Sequence, residues 1–450
     1  MKKRIYNLFT IFSIFCLVMC ICLRVSYIEF DSSKVKENIA YLSSPEFKGR
    51  LAGTSENSII AEKIKNEFNR LKLKPLDNNF EEKFSTAVPT YTGGKSSLKL
   101  INNDKSTTEF TLGKDFKEDF LNFKNPSIEF SKNDRLDIYN NGFSLFKDDI
   151  EYLFYVDCDK DFSFRSSFGE DSKYGFVIQI STKTFSKILD SLRAGSTLKV
   201  DLSYKVEQKE ICNVAGKIEG YSKTLSPLIL TAHFDHVGSN TVGEYYPGAL
   251  DNASGISFLL ELARTYSTLR MPERDIIFVA LNAEELGLKG SEAFACKYKD
   301  EFKGAEVINF DMIGVDNYPI TLMSGKDCVN KHSDILEDIE NICNKKDISN
   351  GKSFADSSDH TPFINNGFDA VTLSHCDLTN IHTPNDTYDK ISTNAIDIAY
   401  NVVNSEIKNL AYNDIFLIFY NTNSIIILTI VTTVLVSSKI LHAAKGNIKK

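Results

Sequence analysis

Apolar and polar positions divide this chain into stretches of different texture. Ile5 to Leu23, "IYNLFTIFSIFCLVMCICL", is an apolar run without a charge. At 1.5 Å per residue it spans about 28 Å, one hydrocarbon core. A second apolar stretch, 415–441, lies near the other end; the polar "NTNS" at Asn421–Ser424 interrupts it, and Lys439 has to snorkel. Lys2, Lys3 and Arg4 precede the first run, and Lys445, Lys449 and Lys450 follow the second. This pattern predicts two transmembrane helices with both termini cytoplasmic and the intervening chain outside. No small-x-small site follows the first run, which favours an uncleaved anchor over a signal peptide.

Between the spans, "DSSKVKENIAYLSS" and "TSENSIIAEKIKNEFNRLKLKPL" read as helices. In the second, Ile60, Ile64, Phe68 and Leu71 recur at helical spacing, and Thr54 or Ser55 can cap its start. Residues 89–207 show short alternating runs such as "SSLKLI" and "YGFVIQIS", which predict a mostly β insertion, with one helix at "KTFSKILDSL". Beyond it, "PLILTAH", "DIIFVALNA", "EVINFDMIG" and "DAVTLSH" are continuous apolar runs, as in strands buried on both faces. Helical patterns fall between and after them, in "SGISFLLELARTYSTL" and "STNAIDIAYNVVNSEIKNL". The alternation predicts a three-layer α/β/α sandwich around a mainly parallel sheet. Its parts are an anchor over 1–24, a first segment over 25–88, the insertion over 89–207, the main domain over 208–412 and the second span over 415–441.

Composition narrows the functional classes. A net charge of −8 with no basic block excludes a nucleic-acid partner. Three of the nine cysteines fall in the first span, and Cys158, Cys212, Cys296, Cys328, Cys343 and Cys376 show no Cys-x-x-Cys spacing.

The chemistry sits where the apolar runs stop. The first ends at His233 and Asp235, with Asp251 in the following "GALDNASG"; the second leads to Glu284 and Glu285. The third contains Asp311, and the fourth leads on to His382. In a parallel sheet all of these reach the carboxyl-end edge, where ligands collect. Such crowded carboxylates would repel and resist ionisation unless a divalent cation turned each into a ligand. Five of the seven histidines (233, 236, 360, 375 and 382) fall in two of these stretches. Imidazoles with carboxylates suit zinc, and three carboxylates with two histidines suffice for two ions if one aspartate bridges. Adjacent side chains diverge, so one glutamate of the pair can bind metal while the other faces a reacting water. Asp235 can accept the free ring N–H of His233 and set its tautomer.

"HFDHVG", "GALDNASG", "NAEELGLKGS", "NFDMIG" and "IHTPNDTYDKI" closely resemble the co-catalytic di-zinc exopeptidases typified by bacterial leucyl aminopeptidase and aminopeptidase Y, over about residues 212–412. "YLSSPEFKGRLAGT" is similar to that family's N-terminal signature. The resemblance implies that His233 and Asp311 hold one zinc ion, Glu285 and His382 the other, and that Asp251 bridges them. It implies Glu284 as general base, Asp235 as support for His233, and removal of N-terminal residues from peptides. "SSDHTPF" resembles a segment near the family's active site, which makes His360 a candidate for substrate contact. The insertion sits where relatives carry a protease-associated domain and matches it only loosely. Carboxypeptidase or N-acyl amino acid amidohydrolase activity on the same fold, single-zinc glutaminyl cyclisation, and a metal-free scaffold are the competing functions.

Overall fold

The computed structural model describes residues 2–156, 162–269, 271–329, 331–412 and 417–448; Cys158 lies outside them. Nine strands form the central sheet: β1 (Lys74–Pro75), β2 (Glu81–Tyr91), β3 (Tyr204–Ile218), β4 (Leu228–His233), β5 (Ile276–Leu281), β6 (Glu306–Phe310), β7 (Ile320–Ser324), β8 (Asn350–Phe354) and β9 (Asp369–Ser374). Their order is β1-β3-β5-β4-β6-β9-β7-β8, with β2 also paired to β3. The four continuous apolar runs are the adjacent strands β5-β4-β6-β9, all mutually parallel. The sheet as a whole is mixed, because β3 joins β5 and β7 joins β9 antiparallel.

Alternation along a strand sends successive side chains to opposite layers. Leu228, Leu230 and Ala232 pack into a core shared with the helices Ser32–Leu42, Ser55–Arg70, Gly255–Tyr266, Asp334–Lys345 and Thr393–Ala411. Ile229, with Ile277 and Val279 of β5, faces Phe294, Tyr298 and Phe363 of the helices Lys289–Tyr298 and His360–Asn365. This is the expected three-layer arrangement. Local chemistry sets the helix starts: Asp31 accepts from the Ser33 N–H, and Thr54, not Ser55, accepts from that of Asn57.

The insertion leaves and rejoins the sheet through one antiparallel ribbon, in which β2 and β3 pair from Glu81↔Val214 to Tyr91↔Tyr204. It holds a five-stranded and a four-stranded sheet and the helix Thr182–Arg193. Its aromatic core takes in Ala283 and Leu286, neighbours of the glutamate pair, so it is packed against the strand-end loops.

The helices Lys2–Ser26 and Thr422–Ile448 are each long and apolar enough to cross a membrane. They run antiparallel: the Tyr6 hydroxyl donates to the Leu435 carbonyl at 2.6 Å, Ser13 meets Thr432, and the rings of Tyr27 and Tyr420 lie 6.0 Å apart. Leu8, Phe9, Phe12, Ile426, Ile427 and Ile430 remain exposed, so these helices do not serve the globular core. The "NTNS" motif does not interrupt the second one: Asn421 caps its start, accepting from the Asn423 N–H at 2.8 Å.

Candidate metal centre

The parallel strands stop at one edge, and their terminal loops converge there. His233 ends β4, Glu284 and Glu285 follow β5, and Asp311 follows β6. Asp251 comes from the loop before helix Gly255–Tyr266, and His382 from the loop after β9.

These donors form two groups that share Asp251. His233 Nε2 lies 3.5 Å from Asp251 Oδ1 and 3.6 Å from Asp311 Oδ1. His382 Nε2 lies 3.0 Å from Asp251 Oδ2 and 3.0 Å from Glu285 Oε1. His236 also enters the second group, with Nδ1 3.0 Å from Glu285 Oε1. Donors bound about 2.1 Å from one tetrahedral ion stand about 3.4 Å apart, so both groups have the dimensions of a zinc site. Among the described residues, buried Asp311 Oδ1 has no hydrogen-bond partner. Buried imidazoles and carboxylates with an orphaned oxygen fit zinc chemically as well.

Electrostatics show the strain of this crowding. Burial lifts the Glu284 carboxyl well above the usual carboxylate range; His233 opposes this, while Glu285, Asp359 and Asp311 add to it. Burial would also raise Glu285, yet His382 and His236 hold it well below its ordinary value. Burial would lower His382, but Glu285 and Asp251 carry it well above. Asp359, fully buried and bonded to the Ser291 hydroxyl, is pushed up to about 7 by burial.

The loops are held by groups that grip their backbone. Asp235 accepts from the N–H groups of Glu284 at 3.1 Å and Glu285 at 3.2 Å. Asp386 does the same for Leu250 at 2.8 Å and Asp251 at 3.0 Å. Arg50 is fully buried; its guanidinium donates to the carbonyls of Phe234 (3.0 Å), Leu42 (3.2 Å), Pro247 (2.6 Å), Gly248 (2.9 Å) and Asp251 (3.4 Å). Gly49 precedes it at φ +74°, where a Cβ would sit 2.3 Å from the Gly238 carbonyl oxygen, so only glycine lets this link lie against the His233–Gly238 turn. Ser358 donates to Asp311 Oδ2 at 2.7 Å.

The insertion reaches the same centre. His382 Nδ1 donates to the Arg165 carbonyl at 3.0 Å, which turns Nε2 towards the carboxylates. Ser167 donates to Glu285 Oε2 at 2.5 Å, and the Phe168 N–H to the Glu285 carbonyl at 2.8 Å. The Phe164 ring stacks over His382 with centroids 6.0 Å apart.

Two expectations need correction. Asp235 Oδ1 stands 3.7 Å from His233 Nδ1, beyond hydrogen-bond length, and among the described residues Nδ1 has no hydrogen-bond partner; Asp235 accepts instead from the two glutamate N–H groups. His360 presents nothing to a substrate. It is fully buried, with Nδ1 2.8 Å from the Thr372 hydroxyl and Nε2 2.9 Å from the Ala355 carbonyl oxygen. His233, Asp251, Glu284, Glu285, Asp311 and His382 are brought together. Arg50, Asp386 and Ser167 escaped the sequence reading, although "KGRLAGT" and "HTPND" contain the first two.

The sequence model of Peptidase family M28 matches residues 213–407. Aminopeptidase YwaD of Bacillus subtilis is 29% identical over 40% of this chain and 40% of its own length. A vacuolar membrane protease of Schizosaccharomyces pombe is 31% identical over 26% of this chain and 13% of its own. The chain therefore spans less than half of either relative. Among solved structures, BSAP, a zinc aminopeptidase from Bacillus subtilis, superposes with a TM-score of 0.62 at 18% identity, covering 86% of this chain and 96% of that one. That likeness establishes the shared fold.

Proposed function

From the premise that this chain carries a Peptidase family M28 domain, we propose that it is a zinc-dependent aminopeptidase held at a membrane by its two apolar helices. One observation carries the reading: Asp251 offers Oδ1 to one donor set and Oδ2 to the other, the geometry of a carboxylate bridging two ions. His233 and Asp311 would hold one zinc ion with it, and Glu285 and His382 the other.

Bound zinc supplies polarisation of the scissile carbonyl and acidification of water. Glu284 accepts the proton of the attacking water and delivers it to the leaving amine, a task suited to a carboxyl whose environment favours its protonated form. The peptide's α-ammonium is drawn by the carboxylates that crowd the centre. Arg50 competes for none of these side-chain oxygens, since its donors are spent on backbone carbonyls.

Antiparallel packing of the two apolar helices supports a hairpin with both chain ends on one side. The flanking lysines and arginine favour the cytoplasm, which sets the metal centre outside the cell membrane.

The test is a panel of chromogenic aminoacyl substrates and their N-blocked counterparts, run on the full chain in detergent. Cleavage of the free-amine set, abolished by chelation and restored by zinc, is expected. Cleavage confined to the N-blocked set would overturn the aminopeptidase reading in favour of an amidohydrolase.

A further inference from the structure

The two donor sets are unequal, and His236 makes them so. Three protein groups surround the first: His233, Asp251 and Asp311. Around the second stand four: His236, Asp251, Glu285 and His382. His236 Nδ1 is 3.0 Å from Glu285 Oε1 and 3.7 Å from Asp251 Oδ2. His382 Nε2 is 3.0 Å from each of the same two atoms. A tetrahedral zinc ion requires edges of about 3.4 Å, and these four values bracket that length. The two imidazoles also meet edge to face, with an interplanar angle of 76° and centroids 5.5 Å apart, so both point a nitrogen inward without overlapping.

The loop is shaped around this ring. A Cβ on Gly248 would lie 2.5 Å from His236 Cδ2, so a glycine at φ +57° leaves the space the imidazole occupies. His236 is fully buried, and among the described residues its Nε2 has no hydrogen-bond partner. Packing, with the Nδ1–Glu285 hydrogen bond, therefore aims Nδ1 at the carboxylates.

Resting on the two-zinc reading above, we infer that His236 is a fourth protein ligand of the second zinc ion. The second site is then closed by two imidazoles and two carboxylates, as structural zinc sites are. The first keeps three protein ligands and an open position, the mark of a catalytic site. The first site would then be the one with room for substrate.

The experiment compares wild type, His236→Ala and His236→Gln as full-length chains in detergent. It measures zinc affinity by titration against a chromogenic chelator, and the visible spectrum after cobalt substitution. Glutamine can still donate a hydrogen bond to Glu285 but replaces imidazole poorly on zinc. We expect both variants to retain one tight zinc, which also reports a folded chain, and to bind the second at least 100-fold more weakly. The intense visible bands of four-coordinate cobalt should fade to those of one site. Wild-type affinity for two zinc ions in His236→Ala would overturn the inference. Recovery by glutamine of what alanine loses would also overturn it, leaving His236 as a positioning residue for Glu285. A wild-type chain that binds no zinc would instead refute the proposed function.

Discussion

Ser167 of the insertion donates its hydroxyl to Oε2 of Glu285 at 2.5 Å, the oxygen that faces away from His236 and His382. The insertion thus orients a ligand of the centre that the main domain provides. Groups that orient ligands in this way contribute about 10–100-fold to metal affinity. Ser167→Ala should weaken zinc binding within that range while leaving the thermal midpoint of the metal-free chain unchanged. Competition with a chromogenic chelator measures the first quantity, and a melting curve the second.

Glu284 stands beside the two donor groups and belongs to neither, and its backbone is fixed by Asp235. Glu284→Gln should keep the zinc content of the wild type and lose about 10²-fold or more in kcat. A metal-loaded variant with near-normal turnover would remove Glu284 from the role of general base.

Arg50 serves five carbonyls from three stretches of chain, including the turn after His233 and the loop that carries Asp251. Lysine keeps the charge but offers a single nitrogen with three donors in place of a planar fork. Arg50→Lys should destabilise the fold by about 3 kcal/mol, because buried carbonyls lose their partners. Denaturant unfolding of the metal-free chain would measure this.

Glu406, buried in helix Thr393–Ala411 with Oε1 unpartnered, is pushed up to about 7 by burial. Between the ordinary glutamate value and pH 7 the folded chain keeps a proton that the unfolded chain has released. Its stability contribution therefore falls as pH rises through that window and is constant above it. Glu406→Gln has no such proton to lose. Its advantage over wild type should be absent at pH 4 and reach on the order of 3 kcal/mol at pH 8. Thermal melts across pH would show the two curves diverging, and parallel curves would contradict the assignment.

What the sequence disclosed follows from what is local. The four apolar runs marked the parallel strands, and the residue at the end of each run marked an edge of the sheet, so His233, Glu285 and Asp311 were legible from position alone. The antiparallel flanks were not, because an apolar run does not encode the direction of its neighbour. His236 escaped assignment because its place depends on how the turn after β4 coils past Gly248, a tertiary fact. His360 misled for the converse reason: it lies near chemistry in sequence, yet its helix turns it into the core against Thr372. Ser167 and Arg165 could not be foreseen, since they reach Glu285 and His382 across 118 and 217 residues of chain.

The central claim is that buried acids and imidazoles at one sheet edge exist to hold a pair of zinc ions. Quantifying zinc per chain by atomic spectroscopy on the purified full-length protein tests it most directly. The account predicts two ions per wild-type chain and at most one in Asp251→Ala, which removes the shared carboxylate. A wild-type chain that is folded and zinc-free after zinc supplementation would contradict it.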